Sequence, residues 1–266
     1  MTGVSLKPRA RLAARVDLSG ITPATAAALG LREMERLAVP HGGRSIPLAE
    51  LFFVEGAPDG VLLIEIGDER LDNVGAGMSE GELIVDGRVG AWAGRGMTGG
   101  MLRIGGDAGD FLAAEMSGGR IELVGNAGAH VGAAGSGARR GLSGGVVRIG
   151  GNAGPRAAER QRGGLITIAG DAGEGLATGM IAGTVSVGGA IGPMAGRGMK
   201  RGTIFLNAVP DLPAGFVDTG THELVALRLL ARRVPELRDR LAGWTQARRI
   251  VGDTLTGGQG EVLTKA

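Results

Sequence analysis

The sequence predicts an all-β protein: a right-handed single-stranded parallel β-helix of about seven 19-residue coils, with α-helical N- and C-terminal caps. Three observations carry this. Glycines at 81, 100, 119, 145, 164, 183 and 202 each stand two residues before an aliphatic pair, spaced by 19 except for one step of 26. The pairs are Leu83/Val85, Leu102/Ile104, Ile121/Leu123, Val147/Ile149, Ile166/Ile168, Val185/Val187 and Ile204/Leu206, whose period-two spacing points both members the same way. Glycine supplies 53 of 266 residues without the every-third pattern of collagen, so it punctuates a repeat.

The elements follow in order. Residues 1–70 form an N-terminal cap with a helix and short strands. There Thr22-Pro23 reads as the cap and first turn of a helix over 24–36 with Leu29 and Leu37 on one face, and a strand is expected at 61–66. Residues 71–207 form the glycine-rich helix of strands. Five residues before each aliphatic pair stands Met78, Met97, Met116, Leu142, Gln161, Met180 or Met199.

The residue between the aliphatics faces outward: Ile84, Arg103, Glu122, Arg148, Thr167, Ser186 and Phe205. Stacked about 4.8 Å apart, Arg103, Glu122 and Arg148 are expected to form a charge ladder. The apolar Ile84 and Phe205 need covering by terminal segments or partner subunits. Asp107, Asn126, Asn152 and Asp171, each followed by Ala-Gly, mark a corner stabilised within its own turn. Residues 208–266 form a C-terminal helix and tail. The helix is expected over 223–233, with Leu224, Leu227 and Ala231 on one face, Arg228, Arg232 and Arg233 facing away, and Pro235 ending it. The tail from Thr254 reads as poorly ordered.

Composition excludes several functions. With no Cys and three scattered His, no metal centre is expected. The N-terminal stretch lacks an apolar signal core, so the expected location is the cytoplasm. The uncharged stretch 175–196 has the Gly175, Gly179, Gly183 spacing of a membrane helix pair, but its seven Gly and one Pro continue the coil register, so no membrane span is expected. Aromatic residues make up 3% of the chain with no Tyr, which argues against nucleic-acid binding.

Residues 94–99 match the dinucleotide fingerprint G-x-G-x-x-G, but they lead into a strand rather than a helix. Residues 105–113 approach the calcium nonapeptide without its nine-residue recurrence. No nucleophile and base are brought together by spacing, so no catalytic residue is assigned.

Basic residues offer the sharper candidate. Arg95, Arg140 and Arg197 stand two before the Met-like position of their coils, with Arg139, Lys200 and Arg201 beside them. This corner suits docking of an anionic carrier or partner, since guanidinium groups pair bidentately with carboxylates. The inserted loop around 134–141 is the segment expected to reach outward.

The repeat G-M-[ST]-G-G-x-[IL]-x-[IV]-x-G-[ND]-A-G, clearest at 96–109 and 115–128, resembles the glycine-rich β-helix of two groups. One is the C-terminal domain of the glutamate synthase large subunit. The other is the C subunit of formylmethanofuran dehydrogenase together with the C subunit of the formyltransferase/hydrolase complex. Resemblance to the second group extends over the leading segment Ile46-Pro47-Leu48-Ala49-Glu50-Leu51-Phe52-Phe53-Val54 and Ile66-Gly67-Asp68, then all seven coils.

It implies a non-catalytic structural subunit that is no enzyme on its own and binds no cofactor alone. The complex it implies uses a methanofuran-type carrier and tetrahydromethanopterin in one-carbon metabolism, moving a formyl group to the carrier and releasing formate during formaldehyde oxidation. The implied partners are an amidohydrolase-like subunit and a formyltransferase subunit, with a molybdopterin-enzyme-like subunit as a further one. The acidic glutamyl tail of the carrier then gives the arginines a ligand. Alternatives are the C subunit of a molybdenum or tungsten formylmethanofuran dehydrogenase, a glutamate synthase-type domain, and a stand-alone binding protein.

Overall fold

Residues 3–266 are described by the computed structural model, so residues 1 and 2 of the predicted N-terminal cap lie outside the described residues. The fold is mostly β, with one large, mostly parallel sheet and few helices. The seven repeats supply Glu82–Gly87, Thr98–Ile104, Gly118–Leu123, Val146–Ile149, Leu165–Ile168, Thr184–Val187 and Thr203–Leu206, adjacent in chain order and paired in parallel. In register, Leu83, Leu102, Ile121, Val147, Ile166, Val185 and Ile204 form one row. All fourteen predicted inward aliphatics are at most 3% exposed. Buried at about 1.5–3 kcal/mol each, they are the main favourable term of the stack.

Two further rows bind repeat to repeat. At the corner, bridges run Val89, Ala108, Ala127, Ala153, Ala172, Ile191. Along the turn, Gly94 N donates to Val74 O, Ala113 N to Ala93 O and Gly132 N to Leu112 O, and the series continues to Gly196 N on Leu176 O. The Asp/Asn column works differently from expectation. Each side chain accepts a hydrogen bond from the next repeat, not from its own turn: Asp107 Oδ1 from Asn126 N at 2.7 Å, Asn126 Oδ1 from Asn152 N at 2.8 Å and Asn152 Oδ1 from Asp171 N at 2.8 Å. The physical reason is that the next rung brings a backbone N–H closer to the side-chain oxygen than the residue's own turn does.

The paired glycines have separate causes. A Cβ on Gly99, Gly118, Gly144 or Gly163 would sit 2.0–2.4 Å from a carbonyl oxygen of the preceding repeat. The glycine after each adopts positive φ, as do Gly81, Gly183 and Gly202.

The Met-like column is buried, and Gln161 shares that burial at 0% exposure. Its Nε2 donates to Gly163 O and Gly164 O, while Oε1 has no partner among the described residues. Six sister repeats place an apolar side chain there, so Gln161→Met is expected to stabilise by about 1 kcal/mol, raising the thermal midpoint by about 2–4 °C in a calorimetric scan.

Both ends of the sheet continue beyond the repeats. Val61–Gly67 and Val4–Pro8 extend the parallel ladder on one side, with Phe52–Gly56 closing it antiparallel. On the other side Gly260–Lys265 pairs in parallel with Thr203–Leu206, followed by the antiparallel strands Gln246–Gly252 and Val217–Glu223. The tail expected to be poorly ordered is therefore another rung. Val262 and Leu263 are buried, at 0% and 2% exposure, because they complete the row of Ile204 and Phe205.

The expected N-terminal helix is broken at Gly30, whose φ of +75° ends Pro23–Leu29 before Leu31–Arg36 begins. Thr22 caps it as expected, accepting from Thr25 N at 3.2 Å. Leu29 is 43% exposed, and the buried positions are instead Pro23, Ala26 and Met34. The C-terminal helix starts two residues later than expected, at Val225–Arg233, and Pro235 opens a second short helix, Pro235–Arg238.

This helical hairpin covers the outward face of the last repeats. Phe205, outward by parity, is fully buried edge-on to Trp244 with centroids 6.1 Å apart, whereas Ile84 stays half-buried. The charge ladder also differs. Arg103 pairs with Glu122 at 3.3 Å and Glu82 at 2.6 Å, but Glu122 takes its second cation from Arg120 on its own strand, not from Arg148.

Arg120 also reaches Glu236 of the hairpin at 2.5 Å, with the Glu236 side chain only 7% exposed. Burial alone would push the Glu236 carboxyl up, yet the hydrogen bond and charge of Arg120 hold it below its ordinary range. A depressed carboxylate contributes stability above its unfolded pKa and loses it as pH falls through the folded value. Hairpin protection from hydrogen exchange is therefore expected to drop below about pH 4 in the wild type. In Glu236→Gln that drop should be absent.

Candidate docking surface

Each repeat turns through a corner whose alternate residues have positive φ. Trp92, Phe111 and His130, five residues before the Met-like position or its 19-residue equivalent, hold φ of 64°, 63° and 63°. Bulky side chains seldom adopt this backbone, at a cost on the order of 1–3 kcal/mol. Hydrogen bonding between repeats imposes it: Trp92 N donates to Asp110 O, Phe111 N to Ala129 O and His130 N to Pro155 O, each at 2.8 Å. Gly175 occupies the same position in the sixth repeat at φ +72°. The chain thus places rings where glycine fits without strain.

The rings stack. Trp92 and Phe111 lie 4.0 Å apart at 4°, and Phe111 and His130 4.7 Å apart at 5°. The Arg95 guanidinium lies over Trp92, 4.8 Å from the ring centroid, and pairs with Glu115 at 3.6 Å. At the far end His130 Nδ1 lies 3.1 Å from Glu159, which also meets Arg156 at 3.4 Å. The rings are only half-buried, so the ridge presents aromatic edges framed by paired charges.

The inserted loop joins this ridge. Glu115 Oε1 accepts from Gly135 N at 3.0 Å, while its other oxygen meets Arg95. A Cβ on Gly135 would stand 3.4 Å from the Trp92 ring, so the loop lies against it. The chain regains register where Leu142 N donates to Gly132 O. Arg139 and Arg140 are exposed on this loop and have no ion pair among the described residues.

The six sequence-predicted residues therefore divide. Arg95 belongs to the aromatic ridge, and Arg139 and Arg140 stand exposed on the loop that meets the ridge through Gly135. Arg197 lies five repeats from Arg95, about 24 Å at about 4.8 Å per rung. With Lys200 and Arg201 it belongs to the last repeat, where Lys200 Nζ donates to Thr256 O of the C-terminal segment.

Sequence reading missed Trp92, Phe111, Glu115 and Glu159. The 19-residue spacing of Trp92, Phe111 and His130 carried the signal, but it is visible only when positions before the Met-like residue are aligned. A separate cavity of about 600 Å³ lies on the bridge face between Arg15, Arg70 and Arg88 and the pair Asp107 and Asp110. Arg15 there is paired with Asp72, and both aspartates accept backbone N–H groups of the next repeat. His130 Nδ1 faces the Glu159 carboxylate, and no hydroxyl or thiol is hydrogen-bonded to the ring among the described residues. No group of three or more metal-ligating side chains occurs among the described residues, and no helix there is long and apolar enough to cross a membrane.

No protein-family model matches the chain. It is 40% identical over 86 residues to the C subunit of the formyltransferase/hydrolase complex Fhc of Methylorubrum extorquens, a stretch of 32% of this chain and 32% of that relative. The aligned stretch thus spans about a third of the length of the curated relative. Structural similarity extends much further. A chain in the X-ray crystal structure of the formyltransferase/hydrolase complex (FhcABCD) from Methylorubrum extorquens in complex with methylofuran superposes with a TM-score of 0.92 and 40% identity, over 98% of this chain and 99% of that one.

Proposed function

Because the chain belongs to the family of formyltransferase/hydrolase complex C subunits, we propose that it is a non-catalytic structural subunit of such a complex. The complex acts in tetrahydromethanopterin-linked one-carbon metabolism, transferring a formyl group to a methanofuran-type carrier and releasing formate. The observation that carries this reading is the likeness along nearly the full length of both chains at 40% identity.

Three rows of repeat-to-repeat hydrogen bonds support reading residues 71–207 as a right-handed single-stranded parallel β-helix, between an N-terminal cap of 1–70 and a C-terminal helix and tail of 208–266. Such a stack is stiff and offers long faces. We assign those faces to an amidohydrolase-like subunit and a formyltransferase subunit, in the cytoplasm, with catalysis residing in the partners. Gentle purification of the tagged chain is expected to return both subunits and an assembly that releases formate from the formylated carrier. A chain that elutes alone and inert overturns the reading, and a metallopterin in the assembly overturns its hydrolytic form.

Arg139 and Arg140, exposed and free of ion pairs among the described residues, are where we place the acidic tail of the carrier or an acidic partner face, with Arg95 joined to their loop through Glu115. The chemistry fits the ridge: Arg95 already holds one carboxylate, that of Glu115. Arg197, Lys200 and Arg201 offer a second, separate site. The quadruple variant Arg95→Ala, Arg139→Ala, Arg140→Ala, Arg197→Ala is expected to weaken carrier binding or assembly about tenfold at 0.05 M salt and less at 0.5 M, measured by titration calorimetry. Unchanged binding and assembly remove these residues from the reading.

A further inference from the structure

The C-terminal helical hairpin carries a basic surface that the ridge does not use. Between Val225–Arg233, Pro235–Arg238 and the chain leading to Trp244 lies a shallow basin of about 540 Å³. Its apolar walls come from Ala231, Leu241 and Trp244, and its polar rim from Arg228, Arg232 and Arg238. No carboxylate among the described residues lines it.

The acidic side chains of the hairpin are turned elsewhere. Glu236 is held by Arg120, and Glu236 and Asp239 line the cleft on the opposite side, against the sheet. Glu223 pairs with Arg228 at 3.0 Å, with both side chains more than half exposed. Arg232 and Arg238 have no ion pair among the described residues. Arg232 stands in the last turn of its helix, where a cation suits the helix dipole. Arg238 stands in the last turn of the next helix, but Arg228, outside the last turn of the first, faces the same basin, so the dipole alone does not account for the cluster.

We propose that this basin docks an acidic segment of a partner subunit, with one apolar side chain against the half-buried Ala231 and flanking carboxylates on Arg232 and Arg238. Charge complementarity selects this occupant: two of the three guanidinium forks at the rim, those of Arg232 and Arg238, lack a carboxylate partner among the described residues, and such forks pair bidentately with carboxylates. A second copy of this chain would bring the same arginines to the interface and repel. The hairpin thereby becomes an anchor that joins the end of the stack to the assembly.

The proposal rests on the reading of the chain as a subunit, and its test separates the two. The assembly is purified with Arg232→Lys and Arg238→Lys, which keep the charge and supply amines that a carbodiimide couples to adjacent carboxylates. New amide links, absent from wild type, are expected between these positions and Asp or Glu of a partner subunit, read by mass spectrometry. Links confined to Glu223 or Asp239 of this chain, links to a second copy, or no links overturn the proposal.

In parallel, Arg232→Glu with Arg238→Glu is expected to lower the fraction of chain retained in the assembly at least tenfold at 0.05 M salt, with its circular dichroism unchanged. Retention equal to wild type overturns the proposal. If that variant misfolds, the charge-preserving lysine pair decides. If the wild-type chain itself elutes alone, the reading of the chain as a subunit fails before this one is reached.

Discussion

Gly119→Ala is expected to lower the thermal midpoint by about 6–12 °C, the equivalent of about 3 kcal/mol, measured by scanning calorimetry or circular dichroism. Gly119 has φ of +85°, so any side chain there adds about 1–2 kcal/mol of left-handed backbone strain. The space is closed as well. A Cβ would stand 2.6 Å from Gly99 O and 2.7 Å from Gly99 C, atoms of the preceding rung that cannot rotate away. Relief requires moving a repeat held by three rows of hydrogen bonds, which adds about 1–3 kcal/mol.

Gly43→Ala is the control. It shares positive φ, at +80°, but has nothing within 4 Å, so only the strain remains and the loss should stay near 1 kcal/mol. Equal losses at the two sites would show that close approach between repeats contributes nothing.

Removing residues 254–266 is expected to abolish the soluble, folded chain, read as loss of the monodisperse species in size-exclusion chromatography. The segment looks dispensable in sequence. In the structure Gly260–Lys265 pairs with Thr203–Leu206 on one side and Gln246–Gly252 on the other, so its loss splits the sheet. Phe205 and Ile204, now at 0% exposure, would lie at an open parallel edge, a template for aggregation. Val262→Asp, which charges a position 0% exposed without shortening the chain, should reproduce the defect at a cost on the order of several kcal/mol. A truncated chain as stable and soluble as wild type would mean that the terminal rung contributes nothing to the fold.

The repeat was the legible part of this chain because each of its positions is dictated by its neighbours 19 residues away. Fourteen aliphatics at two positions per repeat reveal the interior, since a stack returns every position to the same environment. Arg95 and the inserted loop with Arg139 and Arg140 were also legible, as charges at one register. Their common attachment to Glu115 was not, because it joins a turn to an insertion that has no counterpart in other repeats. The aromatic stack lay between these cases: periodic in sequence, yet unremarked until its left-handed backbone and 4.0 Å ring spacing appear in space.

One-dimensional pattern was sufficient for the interior rows, the recurrence of a glycine before each aliphatic pair and the outward parity of the residue between the aliphatics, all short-period constraints repeated along the stack. The sequence called for caps and for cover over Phe205, but tertiary structure alone decided which segments supply them, the terminal strand beside Thr203–Leu206 and the hairpin with Trp244 over Phe205, and how the arginines divide between distant repeats. The reason is physical. Stacking within the array is enforced by identical neighbours and leaves a periodic trace, whereas an end has one neighbour only. It is satisfied by whatever distant segment can supply backbone hydrogen bonds and apolar cover, and such a segment carries no period to read.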